Sequence, residues 1–157
     1  MQRQILMGLV LPAIIGTAAM AETAPAEVAY EEGAVTQSLT GTPGNPEEGA
    51  KVMSNRGLGN CVACHSVSAM PDVAFQGNVG PSLDGAGDRW EEAQLRGIVS
   101  DAKMTFDGTI MPSFYKVGPY IRQGDAFTGK AFEGELPPLL TAQQIEDVVA
   151  YLITLKE

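Results

Sequence analysis

The chain has 157 residues, of which 19 are acidic and 10 are basic, giving a formal net charge of −9. An acidic balance of this size argues against nucleic acid and anionic membranes as partners. Once a leader is set aside, the length suits one domain with one hydrophobic core.

Residues 1–21 have the pattern of a secretory signal peptide. Arg3 supplies the basic start, an apolar run extends from about residue 5 to residue 15, and Ala19-Met20-Ala21 fits an A-x-A cleavage site. The run is short and is interrupted by Pro12, so a membrane span is disfavoured, with a retained anchor as the alternative. We expect cleavage after Ala21, leaving a periplasmic mature chain that begins at Glu22 and has no membrane span.

The segment that follows the leader, residues 22–44, is rich in Ala, Glu, Thr, Gly and Pro and poor in large apolar side chains. This composition predicts an extended N-terminal arm. The folded domain is expected to occupy residues 45–157. Its first helix has Asn45 as the N-cap and Pro46 at the first helical position, and it ends near Asn55.

The first helix leads into Cys61-Val62-Ala63-Cys64-His65, the C-x-x-C-H signature of covalent haem attachment. The spacing places both thiols on one side of a helical turn, where they can bond the two vinyl groups of a porphyrin. His65 follows at once and can reach the iron. A dithiol redox pair or a structural disulfide is the alternative. Zinc is disfavoured, because the chain's two cysteines and one histidine all lie in this motif.

The loop after the motif contains Gly80-Pro81-Ser82-Leu83. An iron-bound histidine needs an acceptor for its other ring nitrogen, which fixes the tautomer and the ring orientation. The carbonyl oxygen of Pro81 is the candidate acceptor for His65. An ordinary turn is the alternative interpretation of this stretch.

Two further helices are predicted. The second has Asp88 as its cap, runs from about residue 89 to residue 103, and has one apolar face. The last begins with a capping box of Thr141 and Gln144, ends near Leu155 and packs on the first helix. The intervening residues 116–140 form a long irregular insertion, for which a partner surface, a lid or a hairpin are the alternatives. The predicted buried positions of the two helices are Leu95, Ile98, Val99 and Ala102, and Ile145, Val148, Val149 and Leu152.

The distal iron ligand is expected to be a methionine, because the chain has no second histidine. Met111 lies well beyond His65 in an irregular stretch, and Pro112 stiffens the turn behind it. Met104, directly after the second helix, is the reserve candidate. A lone methionine is otherwise more often a core residue.

These elements predict an all-α fold, with a single domain of three to five helices around one covalently bound haem. The order of helix, C-x-x-C-H, Gly-Pro-x-Leu, helix, Met-Pro and terminal helix resembles a class I cytochrome c over residues 45–157. The resemblance is closer to the SoxX subunits of SoxAX, the cytochrome of thiosulfate oxidation. The segments that carry this closer resemblance are residues 60–65, 80–85, 88–90 and 111–115.

The resemblance implies that Cys61 and Cys64 attach the haem and that His65 and Met111 bind the iron. It also implies partners: a SoxA-type haem subunit, the SoxYZ carrier and a downstream c-type cytochrome. The complex would couple thiosulfate oxidatively to a cysteine of SoxYZ, as an L-cysteine S-thiosulfotransferase-type enzyme. The bond-forming haem of such a complex belongs to SoxA and carries a modified cysteine ligand. This chain has no third cysteine, which agrees with a non-catalytic electron-relay role.

Two other functions remain as alternatives. The chain could be a free-standing soluble electron carrier, or a haem enzyme or ligand sensor with an open iron site. Ligation by Met111 would fill the open iron site and therefore argues against a haem enzyme or a ligand sensor. An aromatic cluster of Phe114, Tyr115 and Tyr120 supplies anchors for a partner, or alternatively core residues.

Overall fold

The computed structural model describes residues 21–121, residue 124 and residues 128–157, so residues 1–20 of the expected leader lie outside the described part. Its four α-helices are α1 (Pro46–Ser54), α2 (Ala86–Arg89), α3 (Glu92–Asp101) and α4 (Ala142–Thr154). Across the described ranges there is no strand, only two isolated antiparallel bridges, so the all-α prediction is confirmed. No described helix has the length and apolar character that crossing a membrane requires.

Helices α1 and α4 begin where the sequence predicts. The side chain of Asn45 accepts hydrogen bonds from the backbone N–H groups of Glu47 and Glu48. Thr141 and Gln144 form the expected reciprocal capping box at α4. Both caps satisfy N–H groups that have no partner within their own helix.

The two terminal helices pack against each other at very short range. Gly49 of α1 makes this approach possible, since a Cβ atom there would lie 2.0 Å from the carbonyl oxygen of Asp147. Met53 is fully buried at this contact, as are the predicted apolar positions of α4. The packing brings the two ends of the domain together, as the sequence predicts.

The second predicted helix is broken in two, and Asp88 is not its cap. Trp90 has an extended backbone, which ends α2, and Glu91 caps α3 in a capping box with Gln94. The carboxylate of Asp88 instead accepts from the backbone N–H of Glu157, with Oδ2 at 2.8 Å. The apolar face predicted for the second helix is buried at all four positions, three in α3 and the fourth, Ala102, just after it.

Residues 22–44, the expected extended arm, contain little regular structure, and part of the segment packs into the domain. Val35 and Leu39 are buried in the hydrophobic core. The backbone N–H of Leu39 donates to Glu146 Oε1 at 2.7 Å, and Arg96 donates to the carbonyl oxygen of Val35 at 3.0 Å. Arg96 and Glu146 are themselves a buried ion pair between α3 and α4, at 2.9 Å. The segment therefore covers the buried ion pair and supplies hydrogen-bond partners that its charged groups need.

Candidate haem site

The motif begins with a 3₁₀ turn, Cys61–Ala63, and Cys64 and His65 follow it directly. Asn60 enters the turn with φ +46°, a left-handed conformation that Asn tolerates better than most residues. The carbonyl oxygen of Cys61 accepts from the backbone N–H groups of Cys64 and His65, at 3.1 and 3.0 Å. This tight winding holds two thiols and one imidazole within a single short stretch of chain.

The two cysteines differ in environment and form no disulfide. Cys64 is exposed, whereas burial raises the pKa of the Cys61 thiol to about 11. A redox-active dithiol needs a cysteine whose pKa is lowered, so that a thiolate is present at neutral pH. The environment of Cys61 acts in the opposite direction and speaks against the dithiol alternative.

The imidazole of His65 has close contacts with two adjacent residues. Its Nδ1 lies 2.7 Å from the carbonyl oxygen of Pro81, which is the contact that the sequence predicts. Because that carbonyl can only accept, the contact assigns the proton to Nδ1 and leaves the lone pair of Nε2 for a metal ion. The ring also lies close to Gly80, where a Cβ atom would be 2.3 Å from His65 Cε1. Only glycine allows this close contact with the ring.

The proximal loop, residues 66–85, is joined to the motif by a series of backbone hydrogen bonds. Gly77 N–H donates to the carbonyl oxygen of Val62, Gly80 N–H to that of Cys64, and Leu83 N–H to that of Ser66, at 2.8, 2.8 and 3.0 Å. A side-chain clamp adds to them, since Asp84 accepts from both the N–H and the hydroxyl of Ser68, at 2.8 and 2.7 Å. The loop therefore has a fixed position relative to His65.

The methionines separate into core residues and residues near the surface. Met53 and Met70 are buried in the core. Met104 is 51% exposed. Met111 is partly buried and packs against the core cluster. Burial in the core removes Met53 and Met70 as candidates for a ligand and leaves the two that the sequence selects.

Met111 begins the distal strap, residues 111–116. Tyr115 N–H donates to the carbonyl oxygen of Ser100 at 3.0 Å, and Leu140 N–H donates to that of Phe114, also at 3.0 Å. The hydroxyl of Ser113 donates to Asp101 Oδ1 at 2.6 Å, and the ammonium group of Lys116 lies 3.1 Å from Asp101 Oδ2. The strap is thus attached to the end of α3.

The aromatic cluster proves to be divided between core and surface. Phe114 and Tyr115 are buried, and the Tyr115 hydroxyl donates to the carbonyl oxygen of Thr23 at 2.7 Å. Both are therefore core residues and not anchors for a partner. Tyr120 remains exposed, and its hydroxyl donates to the carbonyl oxygen of Lys116 at 2.8 Å.

The residues present fit a covalent haem. The donor set is two free thiols, an imidazole with one nitrogen left for a metal, and a thioether. Large apolar side chains are also exposed in the segments beside these donors, with Val79 next to Gly80 and Ile110 next to Met111, at 63% and 81% exposure.

Two supporting carboxylates, Asp84 and Asp101, were not predicted from the sequence as parts of this site. Asp84 stands directly after Gly80-Pro81-Ser82-Leu83, and that position is the signal that could have identified it. Asp101 ends a helix and carries no such signal. Its role depends on contacts with Ser113 and Lys116, which lie further along the chain.

Comparisons with known proteins agree with this geometry. A family model described as cytochrome c matches residues 46–156. Among solved structures, the chain is similar to one from the crystal structure of SoxXA from P. pantotrophus, with 66% sequence identity and a TM-score of 0.84. That match covers 87% of this chain and 100% of the solved one. Comparison with curated proteins gave no match.

Proposed function

This chain belongs to the cytochrome c family and carries one covalent haem c, and we propose that it is the electron-relay subunit of a SoxAX-type complex. The observation that carries the proposal is the 66% identity along the whole of a chain from a SoxXA crystal structure. The complex would conjugate thiosulfate oxidatively to a cysteine of the SoxYZ carrier. Electrons from that reaction would pass through this chain to a downstream c-type cytochrome.

In this proposal Cys61 and Cys64 form the two thioether bonds, and His65 and Met111 bind the iron. The haem, when bound, supplies a centre that changes by one electron. His65 holds its proton at Nδ1 against Pro81, which orients the ring and keeps Nε2 unprotonated. Met111 would supply the second protein ligand and keep water from that position. With two protein ligands, the iron would be suited to electron transfer and not to catalysis.

Replacing the proposed distal ligand tests this assignment. Thioether sulfur favours ferrous iron relative to a second imidazole, so Met111→His is expected to lower the reduction potential and to remove the weak sulfur–iron absorption band at the red end of the ferric spectrum. The matched control is Met104→Ala, which should leave both unchanged. If the band persists in Met111→His and disappears in Met104→Ala, Met104 is the ligand.

A SoxA-type haem subunit is the proposed partner, since the similar solved chain comes from a crystal structure of SoxXA. A permanent electron-transfer subunit needs a larger and more apolar contact than a transient carrier does. Val79 and Ile110, next in sequence to Gly80 and Met111, and Tyr120 are exposed apolar side chains that could contribute to such a contact. An acidic chain that relied on charge alone would separate from its partner in high salt.

The experiment that tests the relay function mixes the haem-loaded chain with a SoxA-type subunit. We expect a 1:1 complex that survives gel filtration in high salt and that reduces this chain's haem when thiosulfate and SoxYZ are supplied. Brief, salt-sensitive electron exchange with no stable complex would establish the free-carrier alternative instead.

Export to the periplasm is part of the same proposal. It is supported by the basic start, the apolar run and the Ala19-Met20-Ala21 sequence of residues 1–21. N-terminal sequencing of the exported protein should begin at Glu22.

A further inference from the structure

We propose that Asp101 is a positioning residue for the Met111 ligand, holding the distal strap so that the thioether stays on the iron. This rests on the ligation proposed above. Asp101 is the last residue of α3, a helix whose face packs on α4 in the core. The strap itself, residues 111–116, has no regular secondary structure. Its position must therefore come from attachments to its neighbours.

Asp101 supplies two of these attachments through different oxygens. Oδ1 accepts from the hydroxyl of Ser113 at 2.6 Å, close behind Met111 in the chain. Oδ2 accepts from the ammonium group of Lys116 at 3.1 Å, at the far end of the strap. One carboxylate thus holds the strap at two points and fixes both its position and its direction.

A third attachment reaches Met111 itself. The ammonium group of Lys103 donates to the carbonyl oxygen of Met111. The backbone N–H of Lys103 donates in turn to Asp101 Oδ1 at 3.2 Å. The same carboxylate therefore fixes the residue that holds the ligand's own backbone.

The environment of Asp101 makes these hydrogen bonds strong. Its side chain is only 7% exposed, so water competes little for its oxygens. Burial alone would raise the pKa of this carboxyl, but hydrogen bonds from Ser113, Lys116 and Lys103 outweigh burial and lower the pKa. An ionised, well-bonded carboxylate forms charge-assisted hydrogen bonds, which are shorter and stronger than neutral ones.

A fixed strap reduces the cost of keeping a weak ligand in place. The sulfur of methionine is a weak donor, and a mobile strap would lose backbone and side-chain entropy each time the thioether bound the iron. Loosening the strap should leave the fold intact and let an added ligand displace Met111 more easily. Competition by a small ligand therefore measures the effect of Asp101 directly.

The test uses the haem-loaded protein and imidazole as the competing ligand. In Asp101→Asn the shape is kept and the charge is lost, and we expect the ferric form to bind imidazole about tenfold more tightly, equivalent to about 1.4 kcal/mol. The sulfur–iron band should weaken in the same variant. The matched control is Glu146→Gln, which removes another buried carboxylate, one that is bonded to Arg96 and to the backbone of Leu39. It should lower the melting temperature and leave imidazole affinity unchanged.

Each outcome decides the proposal. Parental imidazole affinity in Asp101→Asn overturns it, and so does an equal rise in Glu146→Gln, which would show general loosening of the fold. If Asp101→Asn does not fold, Ser113→Ala serves in its place, with a smaller rise expected and an unchanged affinity overturning the proposal. Met111→Ala separates the two hypotheses, because unchanged imidazole affinity in that variant would disprove the ligation itself.

Discussion

The proximal loop and the distal strap each lie next to a proposed iron ligand, and each is held in place by a different kind of hydrogen bond. The proximal loop is held to the haem motif by backbone hydrogen bonds from Gly77, Gly80 and Leu83. The distal strap depends more on side chains, with the Asp101 carboxylate and the Tyr115 hydroxyl each joining parts of the chain that are distant in sequence. Backbone bonding on one side and side-chain bonding on the other make the two regions sensitive to different substitutions.

The comparison shows which parts of the sequence support each of the two proposed iron ligands. His65 lies next to Cys64, and the loop that follows it directly supports its side chain. A larger side chain in place of a glycine is therefore expected to be the most damaging change there. The distal strap that carries Met111 is bonded to polar groups of α3 and of the N-terminal segment, so loss of a single polar atom is expected to be the most damaging change there. Three substitutions test this difference.

The largest effect is expected from Gly80→Ala in the proximal loop. A Cβ atom at 2.3 Å from His65 Cε1 must displace the imidazole, because the loop backbone is bonded to the motif and cannot withdraw. We expect a loss of about 3 kcal/mol in the free energy of unfolding, measured by urea denaturation, and a lower yield of haem-loaded protein.

Gly57→Ala is the matched control for that substitution. The nearest atom to a Cβ there is Asn55 Oδ1 at 3.4 Å, and the residue is not in the left-handed region. Its free energy of unfolding should stay close to that of the parent. Equal losses of unfolding free energy in the two variants would show that the close contact with His65 is not the cause of the destabilisation.

A smaller effect is expected from Tyr115→Phe in the distal strap. The substitution keeps the buried ring and removes the hydroxyl that donates to Thr23 at 2.7 Å. The expected loss is about 1 kcal/mol in the free energy of unfolding, measured in the same way. Tyr120→Phe is the control, since that hydroxyl is bonded at the surface, where water replaces the partner. A loss as large in the control would contradict the difference between buried and exposed hydroxyls.

The smallest effect is expected from Asp84→Asn in the proximal loop, and it depends on pH. Hydrogen bonds from the hydroxyl and the N–H of Ser68 lower the pKa of the Asp84 carboxyl. Its stabilising contribution is therefore present above the ordinary pKa of about 4 and is lost as pH falls through the lower folded value. Urea denaturation from pH 7 to pH 2 should show a slightly flatter profile in the variant. Ser68→Ala should flatten it too, and an unchanged profile in both would show that the clamp contributes nothing.

The sequence predicts most of the fold because several of its signals are local. The caps at Asn45 and Thr141 each depend on residues that are near neighbours in the chain, and both are found in the structure. The cap at Asp88 is wrong because Trp90 adopts an extended backbone that breaks the helix, and no local pattern marks that break. The packing of residues 22–44 was missed for a similar reason. Few large side chains suffice there, because buried polar contacts with Arg96 and Glu146 hold the segment.

The same distinction applies to the site. The motif from Cys61 to His65 is contiguous, and Gly80-Pro81 follows it closely, so both could be recognised from spacing. The contacts of Asp101 and the burial of Phe114 and Tyr115 depend on how α3, the strap and the N-terminal segment come together. Such contacts cannot be derived from the periodicity of apolar residues, because they form between segments that are distant in the sequence.

The different environments of the two cysteines bear on how the finished protein is assembled. Cys64 is exposed and Cys61 is only partly accessible, and burial raises the pKa of the Cys61 thiol. Because a protonated thiol reacts more slowly than a thiolate, we expect attachment at Cys61 to be easier before α1 and the motif close around it. A variant of this chain that folds faster is then expected to yield less haem-loaded protein.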